Sequence, residues 1–372
     1  LPENNNLGIG DGWNSYTLSL RIRNLIWVFN YLPDYKNKKR IDSLWTQIIW
    51  LRKHLEYCYG GNHLIENLCA LIVGSLNFKG KKSELIFNDA IKKLKIELDF
   101  QILEDGGHFE RSASYHLLIL DRLIEISICI EKTLKERPQW LINKIKLMVE
   151  WVNKISLNNG YLPNFNDSPR DISDSLYEIN QFAKSFLDKR KYKCKGLRGY
   201  LINSMPGWGI SNYLKDNNFI NDLDELIDLK ETGWTFIRPN KDWEFIFKCG
   251  NGCPIDLPAH VHSDQLSFEI YYKGEDILCE SGTSTYEKSQ IRNYERSSAA
   301  HNVIQFGKLC SNKKRIEWVE PIDVWDSFRA GDKAKIIKRE IKKISKNQYK
   351  LIASHNGFKK IGVDWTRKIN IN

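Results

Sequence analysis

Two hydrophobic periods divide this chain, and they constrain its fold more than any other feature. Up to about residue 190, apolar residues recur at three- and four-residue intervals, the mark of amphipathic helices. After about residue 230 they alternate with a period of two, the mark of strands with one buried face. The helical pattern covers 16–32, 41–57, 63–76, 83–98, 112–132, 138–157 and 172–187. Pro33, Gly60-Gly61, Gly80, Asp105-Gly106-Gly107 and Asn158-Asn159-Gly160 punctuate it. Seven such helices on short connections predict antiparallel hairpins packed in a ring or bundle. The alternating pattern covers 233–238, 243–249, 266–272, 276–280, 301–306, 322–328, 334–341 and 349–354, and 365–372 reads as a further strand. Lys273-Gly274-Glu275 is a hairpin signal. Strand after strand without intervening helices predicts an antiparallel sandwich. The expected organisation is a helical domain over 1–200, a linker over 201–230 and a sandwich over 231–372. A sandwich that ended there would be abrupt, so the expected fold is a larger one shortened at its C-terminal end.

Composition narrows the partners. Aromatic residues make up 12% of the 372 residues, ample material for a large core, which excludes wholesale disorder. No apolar run is long enough to span a bilayer, so membrane insertion is not expected. The formal net charge of +10 favours an anionic partner: nucleic acid, an acidic membrane surface or an acidic polysaccharide. No helix-turn-helix, zinc-finger or aromatic RNA-binding signature is present, which sets nucleic acid aside. Most lysines are spread as solvated faces, with short basic clusters at 36–40 and 338–343. The eight cysteines (Cys58, Cys69, Cys129, Cys194, Cys249, Cys253, Cys279, Cys310) form no disulfide framework. Cys58, Cys69 and Cys129 lie in apolar helical runs and read as buried thiols. Cys249 and Cys253 are close together, but no second pair completes a tetrahedral metal site.

Three constellations carry chemistry. Gly60-Gly61-Asn62-His63 opens a helix; Asn62 reads as its N-cap, and a polar pair at a helix N-terminus also suits a carboxylate. Asp105 to His116 is a polar turn running into a helix, with Ser112 or Ser114 as cap. Tyr115, in the first helical turn near Arg111, is expected to have a lowered phenolic pKa and so to suit proton transfer. The alternative is that Tyr115 and His116 simply pack between helices. In His260-Val261-His262, read as a strand, both imidazoles face one side. Glu280 ends the next strand and His301 follows Ser297-Ser298-Ala299-Ala300. Two histidines and a carboxylate (His262, Glu280, His301) make a zinc-type set, against the reading of ordinary polar strand ends.

Together these motifs resemble the heparinase II/III family of polysaccharide lyases. Trp13, Tyr16, Ser19, Arg21, Asn24 and Ile26, then Gly61 to Asn67, then 105–116, then 260–303, follow in the family's order, and the likeness runs from about residue 12 to about 306. The resemblance implies an incomplete (α/α) toroid followed by an antiparallel β-sandwich, with the active site between a phenol of the helical half and an imidazole of the strand half. It implies β-elimination at a uronic acid of an acidic polysaccharide. Asn62, with His63, would neutralise the uronate carboxylate; Tyr115 would be the acid and, for one sugar epimer, also the base; His260 would be the second base candidate. His262, Glu280 and His301 match the structural zinc site of one branch, with Glu280 where Asp is commoner and Val261 in place of a small Gly. The loop 164–168 also looks like a family loop and would put Asp167 near the cleft. Arg111, His116, Arg292 and Arg296 are candidates for substrate contacts, each arginine having an internal salt bridge as its alternative. By resemblance the compartment is the periplasm or cell envelope, whereas unpaired thiols favour the cytoplasm.

Two other functions compete. The substituted Glu280 and Val261 motivate a protein that binds or assembles acidic glycans on this fold without turnover. Glu110 and Asp167 motivate a hydrolase, which would need two carboxyl groups about 5–10 Å apart.

Overall fold

The computed structural model describes residues 7–173, 175–211, 224–309 and 316–372. Cys310 and most of the expected linker (212–223 of 201–230) lie outside the described residues. The helices are α1 (Ser15–Tyr31), α2 (Lys38–Lys53), α3 (Gly61–Leu76), α4 (Lys81–Gln101), α5 (Ala113–Leu134), α6 (Gln139–Ile155), α7 (Leu176–Asp188), α8 (Gly196–Asn203) and α9 (Gln290–Arg296). The helical reading of the N-terminal half is therefore correct to within a few residues, with the short α8 added. Two compact units are present: Leu1–Ile102, Leu118–Val149 and Tyr177–Lys215 form the first, and Leu103–Leu117, Glu150–Leu176 and Asp216–Asn372 the second.

In the first unit, α3 packs against α1, α2 and α4. Its sequence is apolar on nearly every face, and it is buried along most of its length. The helices around it are amphipathic. Leu18, Ile22, Ile26 and Phe29 form the buried stripe of α1, and Ile86, Ala90, Leu94 and Leu98 that of α4. Asn14 and Asn37 cap α1 and α2, their side-chain oxygens accepting from Tyr16 N and Arg40 N at 3.0 Å each. Asn62, expected as a cap, lies instead inside the first turn of α3. Gly60, at φ 59°, takes the cap position because that backbone conformation suits glycine. Two short strands, β1 (Arg190–Lys191) and β2 (Gly209–Ile210), pair in parallel.

The second unit holds the other strands. β3 (Leu226–Leu229), β4 (Trp234–Asn240), β5 (Trp243–Lys248), β6 (Phe268–Tyr272) and β7 (Glu275–Leu278) form an antiparallel meander in that order. Its last turn is the expected one at Lys273-Gly274, where both residues take positive φ (51° and 80°), as a two-residue hairpin that matches strand twist requires. Further strands are β8 (Phe306–Leu309), β9 (Ile316–Val319), β10 (Ile322–Val324), β11 (Ala330–Lys333), β12 (Ile336–Ser345), β13 (Gln348–His355) and β14 (Trp365–Ile371). The sheet β12-β13-β14 packs on the five-stranded sheet through Ile237, Phe245, Phe247, Leu266, Tyr349, Leu351 and Ala353, so alternate residues of both sheets make one core.

Four sequence expectations fail here. The strand read over 322–328 stops at Val324, and 325–329 is a loop whose turn Asp326 closes by accepting from Phe328 N and Arg329 N. Residues 301–305 are irregular, and a strand begins only at Phe306. A helix, α9, interrupts the strand series, capped by Ser289 Oγ, which accepts from Arg292 N at 3.1 Å. The His260–His262 segment is not a strand. All eight residues 260–267 are buried whatever their parity, and no ladder pairs them. Arginine side chains and other loops satisfy the backbone instead: Val261 O accepts from Arg296 (3.0 and 2.8 Å), His260 O from Asp167 N (3.0 Å), and Ser263 N donates to Arg296 O (2.8 Å).

Candidate active site

The polar turn at 105–112 is fixed before it reaches Tyr115. Asp105 accepts from Gly107 N (3.1 Å), Thr232 N (2.7 Å) and Thr232 Oγ1 (2.9 Å). Gly107 cannot carry a side chain, because a Cβ would stand 2.2 Å from Thr232 Oγ1 and 2.7 Å from the Trp151 ring. Of the two candidate caps, Ser112 serves: its Oγ accepts from Tyr115 N at 3.3 Å and donates to Asp167 O. Ser114 Oγ donates to Pro169 O instead (2.6 Å), so both serines tie the start of α5 to the loop 165–169.

That loop presents Asp167, the hub of the cluster. Its carboxylate is wholly buried and accepts from Arg292 Nη1 (2.5 Å) and Nη2 (2.7 Å), His262 Nε2 (2.8 Å), Thr283 Oγ1 (3.1 Å) and His260 Nδ1 (3.1 Å). Burial alone would push its carboxyl up; the bonds from His260, His262 and Arg292 outweigh that and hold it well below the ordinary range. The other nitrogen of His260, Nε2, lies 3.3 Å from Glu110 Oε2. Burial disfavours the imidazolium, but Asp167 and Glu110 on its two edges raise its pKa to about 9. The ring stacks on Tyr115 with centroids 3.9 Å apart. The expected phenol and imidazole therefore meet.

Tyr115 does not have the lowered pKa expected of it. Burial, then the phenol of Tyr286 and the charges of Asp167 and Glu110, push it far up, so it is firmly protonated. Its hydroxyl lies 3.1 Å from that of Tyr286. Arg111 does not face the phenol: it adopts φ 54° and donates to Thr232 O and Glu231 O at 3.2 Å each. His116 is buried, stacked on Trp151 at 4.3 Å, with its Nδ1 accepting from His108 N (3.3 Å). Arg292 and Arg296 are fully buried; the former grips Asp167 and the latter backbone carbonyls of 258–261 and 326. Asp167 as hub, Tyr286 and Thr283 escaped the sequence reading. The family-like loop 164–168 had put Asp167 near the cleft, though not as a hub, and nothing local marks the other two.

Beside this cluster lies a second. Among the described residues, Asp264, Glu280 and His301 place one ligand atom each within 4.8 Å of one another, a group able to hold a metal ion. Two of these were expected. The third, His262, is drawn aside by Asp167 through Nε2, and Asp264 takes its place. Yet His262 Nδ1 and His301 Nε2 are both buried and without a hydrogen-bond partner among the described residues, and the two rings are 5.3 Å apart. Burial lowers the pKa of His262 beyond what Asp167 restores, so its Nδ1 keeps a lone pair. Orphaned imidazole nitrogens beside carboxylates fit a divalent cation. Asp264 also pairs with the buried ammonium of Lys248, which donates to Asn166 Oδ1 at 2.5 Å. Val261, in the place of a small residue, fills an apolar cluster with Cys253, Ile322, Ala330 and Ala334.

Asn62 and His63 belong to the first unit. Asn62 is buried. His63 is half-exposed, 4.4 Å from the Tyr16 ring and with Nδ1 3.4 Å from Glu56 Oε1. Of the thiols expected to be buried, Cys69 and Cys129 are, whereas Cys58 is exposed; each of the seven described cysteines is a free thiol. No described helix is long and apolar enough to cross a membrane.

Comparison with known proteins gives a consistent result. Residues 2–194 match the family model for the heparinase II/III N-terminus, and residues 221–372 that for the heparinase II/III-like C-terminal region. A heparin-sulfate lyase of Bacteroides thetaiotaomicron is 25% identical over 329 residues, covering 80% of this chain and 44% of its own length. A heparin-sulfate lyase of Pedobacter heparinus is 24% identical, covering 77% and 41%. Among solved structures, a mutant heparan sulfate lyase HepC from Pedobacter heparinus superposes with a TM-score of 0.61 at 19% identity, over all of this chain and 55% of its own. A heparinase III structure gives 0.63 at 18%, over 96% and 55%. The fold is theirs, and the chain spans about half the length of these relatives or less.

Proposed function

The chain belongs to the heparinase II/III family, and from that premise we propose that it cleaves a uronic-acid-containing acidic polysaccharide by β-elimination, of the glycosaminoglycan type that its relatives' names carry. The observation that carries this reading is the Tyr115–His260 stack, with both imidazole nitrogens held by carboxylates. The C5 proton of a uronate is weakly acidic, and its loss places charge on the adjacent carboxylate. Asn62, with His63, takes the part of neutralising that charge. Tyr115, kept protonated by its surroundings, gives its proton to the departing glycosidic oxygen. His260 takes the C5 proton once it has lost its own. Asp167 and Glu110 orient the ring and set the pH at which that loss occurs. Both carboxylates engage one imidazole, an arrangement that suits a positioned base better than a glycosidase pair.

Arg292 and Arg296 are assigned to building the site, since their donors are spent internally; Arg111 and His116 act likewise. Zinc is the metal we assign to Asp264, Glu280 and His301, with the Nδ1 of His262, the ligand expected from the sequence, adjoining. When bound it would fix the loop that presents His260 and supply no proton transfer. The net positive charge draws the polyanion. The periplasm or cell envelope is the proposed compartment, to be tested by cell fractionation.

The test is the rise in ultraviolet absorbance that an unsaturated uronate product gives, over a panel of uronate polymers. Wild type should produce it, and Tyr115→Phe and His260→Ala should not. Folded, zinc-supplied protein that binds a polymer yet yields no product would establish the glycan-binding alternative instead.

A further inference from the structure

Next to Tyr115 the second unit exposes aromatic surface on a loop that is anything but loose. The segment 325–329 joins β10 to β11. Asp326 Oδ1 accepts from Phe328 N (3.0 Å) and Arg329 N (2.9 Å), closing the turn. Trp325 N donates to Arg329 O at 3.0 Å. From below, Arg292 donates to Ser327 O (2.7 Å) and Arg296 to Asp326 O, so the two buried arginines pin the loop from α9. The base of the hairpin, Ile322 and Ala330, packs on Val261, between His260 and His262.

On this rigid mount Trp325 and Phe328 are 65% and 45% exposed. The Phe328 ring lies nearly parallel to Tyr286, at 7° with centroids 5.6 Å apart, and the Tyr286 hydroxyl meets that of Tyr115. The Arg292 guanidinium stands 5.1 Å from the Tyr286 ring and 6.0 Å from Phe328. A partly exposed aromatic strip therefore runs from the proton donor outward. Arg329, the next residue along the loop, has a 74% exposed side chain whose Nε donates to Asp326 Oδ2 at 2.7 Å. It is the contiguity of this strip with Tyr115, not exposure alone, that marks it as an interaction surface, and large rings fixed in place lose little entropy on binding. Their faces match the apolar faces of pyranose rings, and the adjoining arginine matches a carboxylate or sulfate.

We propose that the 325–329 loop is a subsite in which Phe328 and Trp325 stack on a sugar ring of the acidic polysaccharide next to the one that reacts at Tyr115, with Arg329 meeting that sugar's anionic group. The proposal rests on the lyase reading above and extends it to residues that the chemistry does not use.

The test separates the two. In a Tyr115→Phe background, which stops turnover, titrate heparan sulfate and polyglucuronate by calorimetry. Phe328→Ala and Trp325→Ala should each weaken binding about five- to tenfold, and Phe328→Tyr should retain it. With Tyr115 restored, the loss should fall on KM rather than on kcat. Unchanged affinity in both alanine variants while wild type makes product overturns the subsite and leaves the lyase standing. Binding that depends on Phe328 without product overturns the lyase and leaves the subsite. Binding of neither polymer overturns the subsite.

Discussion

In the first unit Arg23 donates to Glu66 (2.7 Å) and to Glu125, Arg122 to Glu66 (2.9 Å) and Asp121 (2.7 Å), and Arg198 to Asp121 (2.6 Å). In the second, Asp167 gathers Arg292, His260 and His262, with Glu110 beyond. Both are buried clusters of charge, and they are composed differently. The charges of the first are arginines and acids alone, with the Trp27 indole donating to Glu125 at 2.7 Å. Burial opposes the charge of Arg23 and of Glu66, but their partners push the guanidinium up and the carboxyl down, so neither titrates near neutrality. The second contains imidazoles; among the described residues His262 Nδ1, and Nε2 of the neighbouring His301, have no partner, and the cluster abuts two partly exposed phenols. A cluster with every charge answered specifies structure; one with titratable and unanswered groups is equipped to react.

The largest expected effect tests that contrast directly. Tyr115→Phe should lower kcat by about 10²–10⁴-fold, the usual worth of a positioned acid. Product absorbance measures the rate, and circular dichroism should show an unchanged fold. A variant with wild-type turnover would remove the second cluster from the chemistry altogether.

The first cluster should answer in stability instead. Arg23→Met leaves Glu66 and Glu125 short of a partner in a buried place and should cost about 3–5 kcal/mol in chemical denaturation. Turnover per folded molecule should stay at the wild-type value. A loss of turnover without a loss of stability would place this network in the active machinery and break the comparison.

Next comes the metal. A chelator should lower the melting temperature of wild type, and zinc should restore it. The linkage is about 2.7 kcal/mol at a hundredfold excess over Kd. His301→Ala should show neither response. If wild type is equally indifferent, the unpartnered nitrogens of His262 and His301 are a vacancy in packing rather than a binding site.

How much of this was legible beforehand follows from what sets each feature. Helix and strand periods are local, so α1 to α7 and the β4–β7 meander could be read from spacing. The family order of motifs also brought Tyr115 and His260 into one site. What failed was fixed by tertiary contact. His260-Val261-His262 reads as a strand, yet Arg296 and Asp167 satisfy its backbone, so no ladder forms. The pKa of Tyr115 was expected to fall because Arg111 is near in sequence; the backbone at Arg111 turns that side chain toward 231–232, and burial then dominates. Asp167 became a hub only because three distant segments converge on it. Arg292 and Arg296 read as anion contacts in a list of charges and proved to be braces.

The smallest effect per step, and the sharpest, lies in pH. In the free protein at pH 7, with a pKa of about 9, only about one His260 in a hundred is neutral and able to accept a proton. If it is the base, kcat/KM should rise about tenfold per pH unit and level off near 9. Glu110→Gln removes one of the two carboxylates that stabilise the imidazolium, so the bend should move to lower pH and the rate at pH 7 should rise. Stability should move the other way. The folded pKa is raised above the unfolded value of 6.5, so this contribution is complete below 6.5 and is lost as pH climbs through 9. Glu110→Gln should flatten that decline. A rate profile flat from pH 7 to 9, beside a stability that still falls, would show that His260 is charged for structural reasons and that another group removes the C5 proton. The second cluster would then contribute Tyr115 alone to the chemistry.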